Sequence, residues 1–84
     1  MGLVMNVPFG EKIFSKPTHN GVVDYYSNQL QLRNKNGKSY QIVLMKYSKD
    51  SKKYNEEIVF DETIKDKEAR EKFKTHLEMY KEGQ

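Results

Sequence analysis

The chain has 84 residues, 36% hydrophobic and 32% charged, with a formal net charge of +3. These values fit one small domain spanning 1–84 with a thin core, and they exclude a long disordered or fibrous chain. Cysteine is absent, which excludes disulfides, thiolate chemistry and Cys-ligated zinc and points to a reducing cytoplasm.

Residues 1–8 lack both a basic n-region and a long apolar run, so no secretory leader is expected. No apolar stretch approaches the length of a membrane span. Residues 1–10 hold one apolar stretch broken at Pro8 and Gly10, expected as an edge strand or arm. Asn20-Gly21 then divides Lys12-Ile13-Phe14 from the apolar segment 22–26. Asn and Gly tolerate positive φ, as a tight hairpin turn demands. A second pair, Asn36-Gly37, lies between better strand material at 29–35 and 38–47, and predicts a two-residue hairpin.

A two-residue turn sets a register in which Leu30 faces Val43 and Arg33 faces Tyr40. One face then carries Leu30, Leu32, Val43, Met45 and Tyr47, and is expected to meet the core. The other carries Gln29, Gln31, Arg33, Tyr40, Ile42, Leu44 and Lys46 and is expected to face outward. A slip of one residue would exchange these assignments.

Residues 48–55 read as a polar loop and 56–61 as a short strand. A single helix is predicted over about 64–81, with Thr63 as N-cap, Asp66 at the capping-box position and Gly83 as its stop. Ala69, Phe73, His76, Leu77 and Tyr80 recur at three- and four-residue spacing and form one narrow apolar stripe. Glu68 and Lys72 form an i,i+4 pair on the polar side. The expected fold is therefore α+β: an antiparallel sheet of four to five strands with one C-terminal helix packed on one face.

Charge is distributed unevenly. Segments 1–32, 33–53, 54–62 and 63–84 carry 0, +6, −4 and +1. In 33–53 the cations surround the strongest strand signal, Ile42-Val43-Leu44-Met45. Such a segment fits two binding classes. In the first, Tyr40, Ile42, Leu44 and Arg33 form an outward surface that grips another protein or a second copy of the chain, since Tyr and Arg are enriched in interface hot spots. A small non-catalytic accessory, regulatory or inhibitor protein is the leading expectation. In the alternative, Arg33, Lys35, Lys38, Lys46, Lys49, Lys52 and Lys53 track the phosphates of a single-stranded nucleic acid while Tyr40 and Tyr54 stack on bases. Lysines at strand ends also serve solubility alone by blocking edge-to-edge pairing.

Catalytic and metal chemistry find little support. His76 lies on the apolar helical stripe, and His19 sits beside a turn in "PTHNG". No metal-ligand spacing is present. Ser15, Ser27, Ser39, Ser48 and Ser51 lie in no nucleophile elbow or phosphate loop. Glu56-Glu57 and Asp61-Glu62 flank a strand and precede a helix N-terminus, where negative charge is favoured by the helix dipole. No enzyme activity, cofactor or metal is expected.

The order of hairpin, charged loop, short strand and C-terminal helix over residues 29–80 resembles that of compact single-stranded DNA-binding coactivator domains. The resemblance is one of element order. The strand before the helix is acidic here, "EEIVFDE", and tryptophan is absent, so the resemblance assigns no residue a role.

Overall fold

The computed structural model describes residues 2–82. Four strands form one antiparallel sheet in the order β1-β2-β3-β4, a meander, followed by a single helix. They are β1 Gly2–Thr18, β2 Gly21–Asn34, β3 Ser39–Ser48, β4 Lys53–Thr63 and α1 Asp66–Glu82. The α+β architecture expected from the sequence is the one observed, with four strands.

The element boundaries differ in instructive ways. Residues 2–18 form one edge strand instead of an arm and a separate short strand. Pro8 is accommodated because an edge strand has one unpaired side. Gly10, at φ +90°, lies within a register shift between Phe9 and Lys12, so the expected break is a bulge that bends the strand without ending it. At the first hairpin, Thr18 pairs with Gly21, which places the loop at His19-Asn20, one residue earlier than expected. The Thr18 hydroxyl accepts from the Asn20 N–H at 3.2 Å and donates to the Gly21 carbonyl at 2.9 Å. The expected loop 48–55 contracts to 49–52, because Lys52 adopts φ +57° and its N–H bonds the Ser48 carbonyl at 2.8 Å. Strand β4 consequently starts at Lys53.

The decisive difference lies at Asn36-Gly37. The Lys35 N–H donates to the Ser39 carbonyl at 2.8 Å, leaving the three residues Asn36, Gly37 and Lys38 in the loop. The Asn36 side-chain oxygen accepts from the N–H groups of Lys38 at 3.1 Å and Ser39 at 2.9 Å. The Asn34 side-chain oxygen takes the Gly37 N–H, and Gly37 adopts φ +87°. One extra loop residue shifts the register, so that Leu30 faces Leu44, Arg33 faces Gln41 and Asn34 faces Tyr40. Every β3 side chain therefore changes face relative to the sequence expectation. Tyr40, Ile42 and Leu44 join Leu30, Leu32, Phe9, Ala69 and Phe73 in the core beneath α1. Val43, Met45 and Tyr47 turn to the opposite face by alternation.

Helix α1 begins at Asp66, and its first backbone bond runs from the Ala69 N–H to the Lys65 carbonyl at 2.9 Å. Thr63 is therefore not the N-cap. It remains in β4, with its hydroxyl 2.9 Å from that of Ser39. Asp66 stands at the first helical position and bonds Arg70 one turn on at 2.7 Å. Gly83, the expected stop, lies outside the described residues. The apolar stripe packs as its spacing predicts: Ala69 and Phe73 are buried, and His76, Leu77 and Tyr80 line the rim. His76 meets Phe60 and Tyr80 at ring-centroid distances of 6.1 and 5.9 Å. Desolvation, and then the Lys72 charge, lower its pKa and so favour the neutral ring.

Candidate functional site

One helix covers one side of the sheet, and among the described residues no other helix or strand packs on the opposite side, although Val43 there is fully buried. Alternation along β2 places Tyr25, Ser27, Gln29, Gln31 and Arg33 there, and β3 contributes Gln41, Val43, Met45 and Tyr47. A bulge in β4 lies between the Ile42–Phe60 and Val43–Ile58 pairs. It keeps Val59 and Phe60 packed toward the core, while Ile58, Glu56 and Tyr54 pair with the outward residues Val43, Met45 and Tyr47.

At one end of this face, each strand contributes an aromatic ring. Phe14 of β1 stacks on Tyr25 of β2 with centroids 4.7 Å apart and planes 12° from parallel. Phe14 also meets Tyr47 of β3 at 5.7 Å, and Tyr47 meets Tyr54 of β4 edge-on at 5.2 Å. All four rings are half-buried, so each keeps part of its surface in solvent. The Tyr54 hydroxyl donates to the Tyr26 carbonyl and so locks one end of the row. The Lys16 ammonium lies 5.9 and 5.6 Å from the Phe14 and Tyr25 ring centroids, a cation–π arrangement. Lys49 and Lys52 stand beside the row in the β3–β4 loop, and Lys53, which pairs with Ser48, falls on the helix side by alternation. They are exposed and in no ion pair among the described residues.

The other end of the same face is electrically balanced. Arg33 pairs with Glu56 at 2.9 Å and also donates to the Gln31 side chain at 2.9 Å. Lys35 pairs with Asp61 at 3.3 Å, and the Gln41 amide donates to the same carboxylate at 3.1 Å. The Gln41 hydrogen bond, and then Lys35, hold the Asp61 carboxyl below the usual range.

The residues expected to bind therefore separate into groups. The protein-gripping surface of Tyr40, Ile42 and Leu44 is not outward: these side chains are 5%, 0% and 4% exposed beneath the helix. Arg33, its fourth member, lies on the opposite face. Of the expected nucleic-acid set, Lys49, Lys52 and Tyr54 lie at the aromatic end, while Lys53 falls on the helix side. Arg33 and Lys35 occupy the balanced end, and Lys38 projects from the β2–β3 loop. Lys46 follows Leu44 by two residues and so falls on the helix side. Tyr40 is no stacking platform. Its hydroxyl donates to Asp66 at 3.0 Å, and burial, then Asp66, raise its pKa. Phe14, Tyr25, Tyr47 and Lys16 were not among the expected site residues. Their types suit stacking and phosphate contact, but only strand pairing reveals that they meet.

The Asp66 carboxyl is held below its ordinary value first by the Arg70 hydrogen bond and then by that of Tyr40. A carboxylate stabilised in this way contributes stability that is fully present above the unfolded value of about 3.9. That stability is lost as pH falls through the lower folded value. The melting temperature of the wild type is thus expected to fall more steeply than that of Asp66→Asn as pH drops from about 5 to about 3. Calorimetry at matched pH checks this, and parallel curves would show that the Tyr40–Asp66–Arg70 group contributes nothing.

A concavity of about 610 Å³ beside the start of α1 is lined by residues including Lys38, Tyr40, Thr63, Lys65 and Asp66. Among the described residues, no group of three or more His, Asp or Glu side chains could hold a metal ion. No described helix is long and apolar enough to cross a membrane. No protein-family model, curated protein or solved structure matches this chain.

Proposed function

We propose that this chain is a non-catalytic binding protein whose ligand is single-stranded nucleic acid, held on the uncovered sheet face. The observation that carries the reading is the cross-strand row Phe14, Tyr25, Tyr47 and Tyr54, with lysines at its margin. Unpaired bases stack on aromatic side chains at about 1–3 kcal/mol per base, and cations beside the rings track the phosphates. In a duplex the base faces are already stacked on their neighbours, so the same row discriminates against it. The amides of Gln29, Gln31 and Gln41 lie further along the face and offer donors and acceptors to base edges. Burial of Tyr40, Ile42 and Leu44 takes these three residues out of the surface on which the protein-contact expectation rested.

A fluorescence-anisotropy titration tests the reading, using a labelled mixed-sequence oligonucleotide of about 20 nucleotides and the matching duplex. Binding of the single strand should weaken with salt at a log–log slope of about −2 or steeper, as expected for at least three cation–phosphate contacts. The duplex should bind more weakly. Absence of single-strand binding at low salt, or equal binding of the duplex, would overturn the proposal. Light scattering at two protein concentrations, run alongside, reports whether the face is instead occupied by a second copy.

A further inference from the structure

We infer that Arg33 and Lys35 form a second phosphate subsite on the strand-binding face, kept closed in the free protein by Glu56 and Asp61, which the phosphodiester backbone displaces on binding. This rests on the reading of the uncovered face as a single-strand site. Arg33 shares that face with the aromatic row, and Lys35 is drawn to it through Asp61, which also accepts from the outward Gln41. Their partners come from the acidic strand β4, across the intervening β3: Glu56 lies 2.9 Å from the Arg33 guanidinium and Asp61 lies 3.3 Å from the Lys35 ammonium. Both pairs are open to water, with side-chain exposures of 34% and 49% for the first and 43% and 41% for the second. Solvated pairs of this kind contribute little to folding, so exchanging a carboxylate for a phosphate costs the protein little.

A planar guanidinium presents paired donors that suit phosphate oxygens as well as carboxylate oxygens. The Gln31 side chain, which accepts from the Arg33 Nε at 2.9 Å, holds the guanidinium on the face while its partner is exchanged. The two ends of the site thus differ in kind. Near the rings the lysines are free and attract any polyanion. At the far end a strand gains its last contacts only by expelling two carboxylates, which penalises ligands too short to reach from the rings to Arg33.

Titration of the same oligonucleotide with Glu56→Gln and Glu57→Gln variants tests the exchange. Both substitutions raise the net charge by one. Glu57 pairs with the core residue Leu44 and lies near Tyr80, on the helix side, so its variant reports the general charge effect alone. Glu56→Gln is expected to bind about fivefold more tightly than Glu57→Gln, the ratio corresponding to one surface ion pair near the top of its usual range. Arg33→Ala should flatten the wild-type salt slope by about 0.7, the loss of one phosphate contact to a single strand. Equal affinities for the two glutamine variants, with wild-type binding intact, would overturn the exchange and leave the strand site standing. Absence of wild-type binding would overturn both.

Discussion

Replacing Phe73 with alanine is expected to leave the protein largely unfolded at room temperature or close to it. Phe73 is 1% exposed and, with Ala69, is one of the two buried residues of α1. It packs in the cluster of Leu30, Leu32, Ile42 and Leu44, so its ring joins the helix to the sheet. Removing a buried Phe side chain costs roughly 3–5 kcal/mol through lost burial and the cavity left behind. Domains are stable by only about 5–15 kcal/mol, and one this small lies toward the lower end. At about 4–8 °C per kcal/mol for this size, the melting temperature should fall by about 12–40 °C. Thermal melts followed by circular dichroism check this. Lys72→Ala, one position earlier on the exposed side of the helix, should stay within about 0.5 kcal/mol of the wild type. A fall of only a degree or two for Phe73→Ala would mean that the helix is not held by this stripe.

The largest functional effect is expected at Tyr47, the ring that joins the row. It touches both Phe14 and Tyr54, so its removal separates the β1–β2 rings from the β4 ring. Tyr47→Ala should weaken single-strand binding by roughly 5- to 150-fold, the equivalent of about 1–3 kcal/mol for one lost stacking platform. The salt slope should be unchanged, because no phosphate contact is removed. Tyr47→Phe should bind nearly as the wild type does. Tyr47→Leu, which keeps apolar bulk without a π-face, should behave like the alanine variant while melting near the wild-type temperature. Lys52→Ala should give the opposite signature: a modest loss of affinity with a slope flatter by about 0.7. An alanine variant at Tyr47 that is folded and binds with wild-type affinity would remove the row from the site.

Much of the fold was legible in the residues. The helical stripe of Ala69, Phe73, His76, Leu77 and Tyr80 follows from spacing alone, because the 3.6-residue period puts these side chains on one side whatever they pack against. The two Asn-Gly pairs marked the first two hairpins, because turns concentrate residues that tolerate unusual φ. A stripe so narrow implied one helix on one sheet, and that is the architecture observed. The candidate site was legible only in part. Lys49, Lys52, Lys53 and Tyr54 were named from charge and ring chemistry; Lys49 and Lys52 lie in the loop beside Tyr54, and Lys53 falls on the helix side. Tyr40 was named for the same chemistry and lies in the core.

The physical reason is the register of β3. The run Ile42-Val43-Leu44-Met45 is apolar at every position, so either face could serve as the core side, and alternation expresses no preference. What chose between them was one residue of loop length, set by the side-chain oxygens of Asn34 and Asn36 capping the N–H groups of Gly37, Lys38 and Ser39. That choice sent Tyr40, Ile42 and Leu44 under the helix and turned Val43, Met45 and Tyr47 outward. The aromatic row was equally out of reach, since its rings come from four different strands. By itself the sequence determined the class, the order of elements and the buried face of the helix, because these depend on local spacing. Which face of the sheet stayed open, and which rings and charges met upon it, was decided by cross-strand pairing, where a shift of one residue inverts every side chain.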